Sequence, residues 1–291
     1  MEIQQRICPV CGCEERTVIG PYAAHHLGRC KTCGMTYADR EPSARELDDM
    51  YTNYPVRTVL NPVTVIRFHE LLDRLDAFRS TGRLIDVGSG SGFFLDVARE
   101  RGWEVHGTEY DPVMVESCSA RGFNMRQGPL NPAHYEPGSF DVVTSFEVLE
   151  HLVSPQQELS YFHQLLRPGG ALYLTTPNFN ALSRRISGGA WTIVNYPEHL
   201  NYYTPSTIRR ALNAAGFRER RIWTTGISVM RLRGSLTQVK QDNTDPLNDD
   251  QQIRGRIESS AFLRLAKNLL NATLALFRSG DTIKVMATRP Q

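Results

Sequence analysis

The stretch RLIDVGSGSGFFLDVA, Arg83 to Ala98, limits what this chain can fold into more than any other segment. Arg83 to Val87 is a short apolar run of the kind that makes a buried strand. Three glycines follow at alternate positions, and an apolar-periodic helix starts at once and stops at Gly102. A strand that passes through a tight glycine turn into a helix is the first half of a βαβ crossover, which commits the next strand to run parallel. The alternation continues. WEVHGTEY is a strand, and Asp111 and Pro112 open a helix that Gly122 closes. FNMRQG and FDVVTSF are strands, Ser154 and Pro155 open a helix that ends at the LLRPGG turn, and ALYLTT is a strand. Thr204 and Pro205 open a helix that stops at Gly216, and Arg221 to Thr225 and TIKVMAT are the last two strands. The pattern predicts an α/β fold, a doubly wound, mostly parallel seven-stranded sheet with helices on both faces.

The first forty residues follow a different rule. CPVCG and CKTCG place Cys8, Cys11, Cys30 and Cys33 in the spacing C-x2-C-x18-C-x2-C, which lies within the zinc range. Two residues between thiolates let one tight turn offer both sulfurs to a tetrahedral ion, and Gly12 and Gly34 relax the backbone behind each pair. Four thiolates leave no open coordination position, so the expected zinc is structural. Cys13 is a substitute ligand, and Cys118, on an expected helix, reads as a small core residue. So short a segment needs such a staple to fold. The expected organisation is a zinc ribbon over 1–40, a helical connector over 41–80 and the α/β domain over 81–291. In the connector, Ser43 and Glu46 stand in capping-box register, and Val65, Phe68, Leu71, Leu72, Leu75 and Phe78 recur at helical spacing. Within the domain, 178–203 is an aromatic insertion with Gly188 and Gly189 as pliant points. Its Trp191, Tyr196, Tyr202 and Tyr203 read either as a lid or as packing on the sheet edge. A second insertion, 228–280, precedes the last strand. It holds a polar loop at 240–256 and an amphipathic helix at 260–278 that docks on the domain or on a partner or membrane surface.

At 291 residues, 41% hydrophobic and 22% charged, the chain has ample material for one core, and its net charge of +2 gives no bulk attraction to nucleic acid or membrane. No run of about 18 apolar residues occurs. The N-terminus does not read as a signal peptide, and paired thiols suit a reducing compartment, so a cytoplasmic location is expected.

A glycine turn alone does not name its ligand, but the spacing is informative. A dinucleotide fingerprint needs a small residue where this chain has Phe93, and no G-x-x-x-x-G-K-[ST] occurs. The glycines fall instead as D-x-G-x-G-x-G from Asp86 to Gly92. An acid at that place suits a cofactor with an ammonium and a sulfonium and would repel a pyrophosphate.

From about Arg83 to Phe217 the sequence resembles the class I S-adenosylmethionine-dependent methyltransferases. IDVGSGSG resembles the first motif, HGTEYD the end of the second strand, FDVVTSFEVLEHL the fourth-strand motif and LLRPGGALYLTTPN the turn and fifth strand. The resemblance implies S-adenosylmethionine as cofactor, with the glycine loop of Gly88, Ser89, Gly90 and Gly92, beside Asp86, under its methionine portion. It implies that Glu109 accepts both ribose hydroxyls, and Tyr110, Leu130 and Phe146 complete the implied cofactor set. Where many relatives place an acid for the adenine amino group, this chain has Gly128-Pro129-Leu130, so backbone and apolar contacts are expected there.

Methyl transfer from a sulfonium needs the acceptor held in line, and a base only if the acceptor loses a proton. His151 in EVLEHL and His199 in NYPEHLNYY are the candidates, with loop-positioning roles as the alternative. Glu147, Glu150 and His151 also suggest a divalent ion, as in some quinone O-methyltransferases with a similar stretch, although a charged helix start explains the same residues. The leading expectation is a methyltransferase of a small molecule such as a sugar, quinone or secondary metabolite. An RNA base methyltransferase docking through the ribbon is the rival, but balanced charge and TSFE in place of N/D-P-P-Y/F argue against it. A third reading makes the ribbon a protein-docking module.

Overall fold

The computed structural model describes residues 5–43, 45–47, 60–226, 272–274 and 276–291. The expected loop at 240–256 and most of the helix expected at 260–278 lie outside them. Seven strands form the main sheet: β4 (Arg83–Val87), β5 (Glu104–Glu109), β6 (Asn124–Gln127), β7 (Phe140–Phe146), β8 (Leu166–Pro177), β10 (Arg218–Thr225) and β11 (Thr282–Thr288), in the order β10-β11-β8-β7-β4-β5-β6. Strands β8, β7, β4, β5 and β6 are parallel, while β11 runs antiparallel to both β8 and β10. This is the doubly wound, mostly parallel seven-stranded sheet that the alternating pattern predicts. Chain order reverses at β4, which has β5 on one side and β7 on the other. In an open α/β sheet, the crevice for a ligand opens beyond the carboxyl end of such a strand.

The helices start and stop where their signals lie. Helix α1 (Pro62–Leu75) is capped by Asn61, whose side chain accepts from the Val63 amide. Its Leu71, Leu72 and Leu75 share one core with Phe94, Leu95 and Ala98 of α2 (Phe93–Glu100) and with Trp103 and Val105. Helix α3 (Pro112–Ala120) is capped by Asp111, which accepts from Val113 and Met114. Helix α4 (Pro155–Leu165) precedes β8, and α6 (Pro205–Ala214) begins in a Thr204–Thr207 capping box. The Ser43–Glu46 reciprocal bonds also form.

One boundary differs from expectation. All of the LLRPGG segment after Leu165 belongs to β8, which starts at Leu166 instead of Ala171. Arg167 reaches back to the buried Asp141, Nε to Oδ1 at 2.6 Å, and Arg289 donates to the Leu166 carbonyl at 2.7 Å, so the stretch is held extended before Gly169 turns (φ 77°).

A second, antiparallel sheet joins β1 (Arg16–Val18), β2 (Leu27–Cys30), β3 (Thr36–Ala38) and β9 (Asn201–Tyr202). Its last strand comes from the segment 178–203, which also holds the short helix α5 (Leu182–Ser187). Trp191 and Tyr202 are buried in a cluster with Tyr22, Leu27 and Phe179. Tyr203 joins the main core with Cys8, Met35, Tyr37 and Leu149. These aromatics therefore cement the N-terminal sheet to the main one. Among the described residues, no helix is long and apolar enough to cross a membrane.

Candidate active site

At the reversal point the turn after β4 adopts left-handed backbone at Gly88, Gly90 and Gly92 (φ 73°, 53° and 71°). A side chain at Gly88 would strike Val148 Cγ2 at 2.5 Å, and one at Gly92 would strike Cys118 Sγ at 2.7 Å. At Gly90 nothing stands within 4 Å, so this turn shows an open face to a ligand while its other two glycines are pressed against neighbouring elements. The amides of Gly88 and Ser89 donate to the Thr108 carbonyl at 2.9 and 3.0 Å, which ties the turn to the end of β5.

Glu109 closes the opposite side. Its Oε2 accepts from the Gly90 amide at 2.7 Å, and its Oε1 from the amides of Tyr110 and Asp111 at 2.7 and 3.1 Å. Asp86 is buried, and its Oδ1 accepts from Thr144 Oγ1 at 2.7 Å. Burial pushes its carboxyl up to about 7, the Thr144 bond opposes the shift, and the charge of Glu109 adds to it. The remaining residues of the expected cofactor set are dispersed. Tyr110 is exposed beyond β5, and Leu130 is buried in the core that holds Val87 and Leu149. Phe146, at the end of β7, stacks edge-on against Phe94 at 5.0 Å.

Three residues past Val148, whose methyl abuts Gly88, the loop after β7 presents His151. The structure brings His199 to it from 48 positions along the chain, with ring centroids 4.7 Å apart in a T-shaped contact. His151 Nδ1 lies 2.9 Å from the Glu198 carbonyl and His199 Nδ1 lies 2.7 Å from the Ile193 carbonyl. A carbonyl only accepts, so both Nδ1 atoms carry a proton, while His151 Nε2 lies 4.0 Å from Glu150 Oε1 and His199 Nε2 3.9 Å from Glu198 Oε1. His151 is pushed down to about 4, first by burial and then by the charge of His199. Glu150 is buried, accepts from Thr176 Oγ1 at 3.0 Å, and is held well above the usual carboxylate range by burial and by the charge of Glu147. The expected cation set changes membership. Ligand-capable atoms of Glu150, His151 and His199 lie within 4.8 Å of one another, and Glu147 is outside that group. Glu147 instead turns on a positive φ of 54°, its amide tied to the Thr175 carbonyl, which explains why adjacency in sequence misled.

In the N-terminal sheet the sulfurs of Cys8, Cys11, Cys30 and Cys33 lie within 4.8 Å of one another, with Cys8–Cys33 at 3.4 Å and Cys11–Cys30 at 3.5 Å. Tetrahedral Zn–S bonds of about 2.3 Å set sulfurs roughly 3.8 Å apart, so the four fit one ion. Each pair sits in a knuckle: the Gly12 amide donates to the Cys8 carbonyl and the Gly34 amide to the Cys30 carbonyl, both glycines left-handed. Cys13 stands apart, accepting from Thr32 Oγ1, and Cys118 is buried in the core.

Sequence reasoning passed over Thr144, Thr176, Asn201 and Arg6. The two threonines had a signal, being hydroxyls inside strands otherwise apolar on that side. Arg6 and Asn201 had none.

A sheet that reverses at β4, with an open glycine turn facing an acid at the end of β5, defines the class I S-adenosylmethionine-dependent methyltransferase fold. A family model described as a methyltransferase domain matches residues 65–220, more than half of the chain, and the chain belongs to that family. A probable S-adenosylmethionine-dependent methyltransferase of Mycolicibacterium smegmatis is 32% identical over 154 residues, which span 52% of this chain and 58% of that protein. A ubiquinone biosynthesis O-methyltransferase of Aeromonas salmonicida is 30% identical over 147 residues, 46% of this chain and 62% of that protein. The match thus covers about three fifths of either relative. Among solved structures, an S-adenosylmethionine-dependent methyltransferase from Archaeoglobus fulgidus superposes with a TM-score of 0.51 at 19% identity, covering 77% of this chain and 93% of the other, a likeness of fold.

Proposed function

We propose that the protein methylates a hydroxyl oxygen of a small-molecule acceptor, with S-adenosylmethionine on the glycine turn and the His151–His199 pair as the acceptor-side machinery. The observation that carries the reading is the meeting of two imidazoles, each with its Nδ1 committed to a carbonyl, the His151 loop abutting the glycine turn. The ubiquinone O-methyltransferases among the relatives support an oxygen acceptor. The cofactor supplies an electrophilic methyl carbon, which the acceptor oxygen takes in line while the C–S electron pair stays on sulfur. In this reading Gly90 offers the open backbone face, Asp86 the counter-charge to the ammonium and Glu109 the acceptor for the ribose hydroxyls. An ionised carboxylate has about four acceptor positions, and three amides already occupy Glu109. Two ribose hydroxyls therefore require one amide bond to open, and that of Gly90, on the exposed face of the turn, is the one that faces the ligand. A histidine Nε2 receives the hydroxyl proton. A second reading gives Glu150, His151 and His199 a divalent cation that holds the acceptor oxygen, on the strength of their convergence. Added Mg²⁺ or Mn²⁺ raising turnover would favour it over the base.

The four thiolates hold a structural zinc in this proposal, and elemental analysis of the purified protein is expected to give one zinc per chain. The acceptor class is tested with methyl-labelled S-adenosylmethionine and fractionated cell extract. Label in small molecules supports the proposal. Nuclease-sensitive macromolecular label would move the function to RNA, and label bound to protein would favour the docking reading.

Asp86 makes cofactor affinity depend on pH. The ammonium favours the ionised carboxyl, whose pKa before binding is about 7, so binding releases a proton at and below that pH. Affinity is expected to rise as pH climbs from about 6 to 8. Calorimetry in buffers of different ionisation heat reads the released proton, and Asp86→Asn removes the slope. A flat profile in the unaltered protein would place Asp86 away from the ammonium.

A further inference from the structure

Arg6 is buried just ahead of the first cysteine pair, and its guanidinium ties three parts of the molecule together. Nη1 donates to the Ala38 carbonyl of β3 at 2.8 Å and to the Leu200 carbonyl at 3.2 Å. Nη2 donates to the Val153 carbonyl at 2.9 Å and to Asn201 Oδ1 at 3.1 Å. All four acceptors are neutral oxygens, an arrangement that suits a planar fork and not an ammonium. Asn201 carries the connection onward, its Nδ2 donating to the carbonyls of Leu149 at 2.9 Å and Leu152 at 2.6 Å. The amides of Leu200 and Asn201 both donate to the Glu150 carbonyl, at 2.7 and 3.0 Å. Thus the loop that carries His151 and the loop that carries His199 are laced to each other, and Arg6 is the clamp at the lacing point.

The other side of the clamp is the cysteine module. Arg6 lies two residues before Cys8, its own amide donates to the Asp39 carbonyl at 2.8 Å, and Ala38 lies on the strand that follows Cys33. Cys8, Cys30, Met35 and Tyr37 share one core with Leu149 and Tyr203. Strand β3 pairs with β9 at Thr36–Tyr202 and Tyr37–Asn201, and the Ala38 amide donates to the Leu200 carbonyl. A change in the shape of the two knuckles therefore moves the peptide that holds Arg6 and the strand that holds β9.

We propose that Arg6 is a positioning residue for the His151–His199 pair and that it makes the placement of that pair depend on the four-thiolate site. The acceptor-side role of the pair rests on the function proposed above; the mechanical link does not. The module then acts as a metal-dependent control on the acceptor side of the pocket, while the glycine turn, anchored on Thr108 and Glu109, lies outside the linkage.

The test reads the two histidines directly. In the full chain labelled with 15N-histidine, each carbonyl-bonded Nδ1 proton gives a protected signal, assigned with His151→Asn and His199→Asn. Arg6→Ala is expected to speed exchange of both protons by about tenfold or more. Affinity for S-adenosylhomocysteine should stay within about threefold, because the glycine turn is held by Thr108 and Glu109, neither of which bonds Arg6 or Asn201. Arg6→Lys, which keeps the charge and loses the fork, should behave like the alanine variant, and added guanidinium ion should restore protection in Arg6→Ala. Removing the metal from the unaltered protein with a chelator should produce the same exchange change. Unchanged protection in Arg6→Ala, or after metal removal, overturns the proposal. So does a loss of S-adenosylhomocysteine affinity beyond tenfold in both experiments, since the linkage would then be global. Failure of the acceptor-side role proposed for the pair shows elsewhere, as methyl transfer that survives loss of both histidines.

Discussion

Replacing His199 with alanine is expected to slow methyl transfer by about 10²–10⁴-fold, the range for a lost general base, with cofactor affinity nearly unchanged. The geometry limits how many protons the histidine pair takes. The two rings are in contact at 4.7 Å, so two positive charges there repel and the pair accepts a single proton. Burial first, and then the charge of His199, holds His151 down at about 4. A base held near 4 is weak for a hydroxyl at neutral pH, and Brønsted behaviour favours the partner. His151→Ala should therefore cost less than His199→Ala, through loss of the ring that orients its neighbour. Single-turnover rates with labelled cofactor on the acceptor found by fractionation separate the two. Equal and full rates in both variants would remove the base from the mechanism. A second signature follows from linkage. His151 in the folded protein binds its proton at about 4, whereas an unfolded histidine does so at about 6.5. Between these values the unfolded chain holds more protons, so stability is lost as pH falls from 6.5 toward 4 and is fully present above that window. His151→Gln should flatten this part of the stability profile.

Glu109→Ala is expected to weaken S-adenosylmethionine binding by about 10²–10⁴-fold, since two charged hydrogen bonds to ribose are worth roughly 1.5–3 kcal/mol each. Two effects add. The hydroxyls lose their acceptor, and the amides of Gly90, Tyr110 and Asp111 lose the carboxylate that draws the turn against β5. Glu109→Gln keeps one acceptor oxygen and should fall between the two. Calorimetric titration with S-adenosylmethionine measures the effect, and an affinity within a few-fold of the unaltered protein would move the ribose to another part of the crevice. The inactive product S-adenosylhomocysteine carries the same ribose and should lose affinity in parallel, which separates this effect from any change at the methyl-transfer centre.

The glycine turn and its two acids were legible because their determinants are local. Three alternate glycines read as a strand-to-helix turn from sequence alone, and all three take up positive φ, a conformation that other residues rarely adopt. Glu109 and Asp86 lie at the ends of neighbouring parallel strands, so register and alternation place both near that turn once the strands are recognised. Tyr110, Leu130 and Phe146 were harder. They follow strand ends in the chain, but exposure, core packing or an aromatic stack takes each in a direction that strand order does not specify.

The loop after β7 shows the opposite case. The charged run Glu147-Val148-Leu149-Glu150-His151 invited a metal set drawn from neighbours in sequence. A single left-handed residue at Glu147 redirects the chain, and His199 arrives in its place. The aromatic segment 178–203 read equally as a lid or as packing, and its Tyr202 became part of a strand that completes the sheet of the cysteine module. What the sequence alone determined, then, is the alternating α/β architecture, the glycine turn with its two acids and the four-cysteine spacing, because periodicity, φ preference and turn geometry act over a few residues. Tertiary structure alone decided that His151 meets His199, that β9 joins the N-terminal sheet and that Arg6 clamps both loops. Those contacts close loops of dozens to nearly two hundred residues, and their partners are selected by how whole elements pack, for which no short stretch of sequence carries a code.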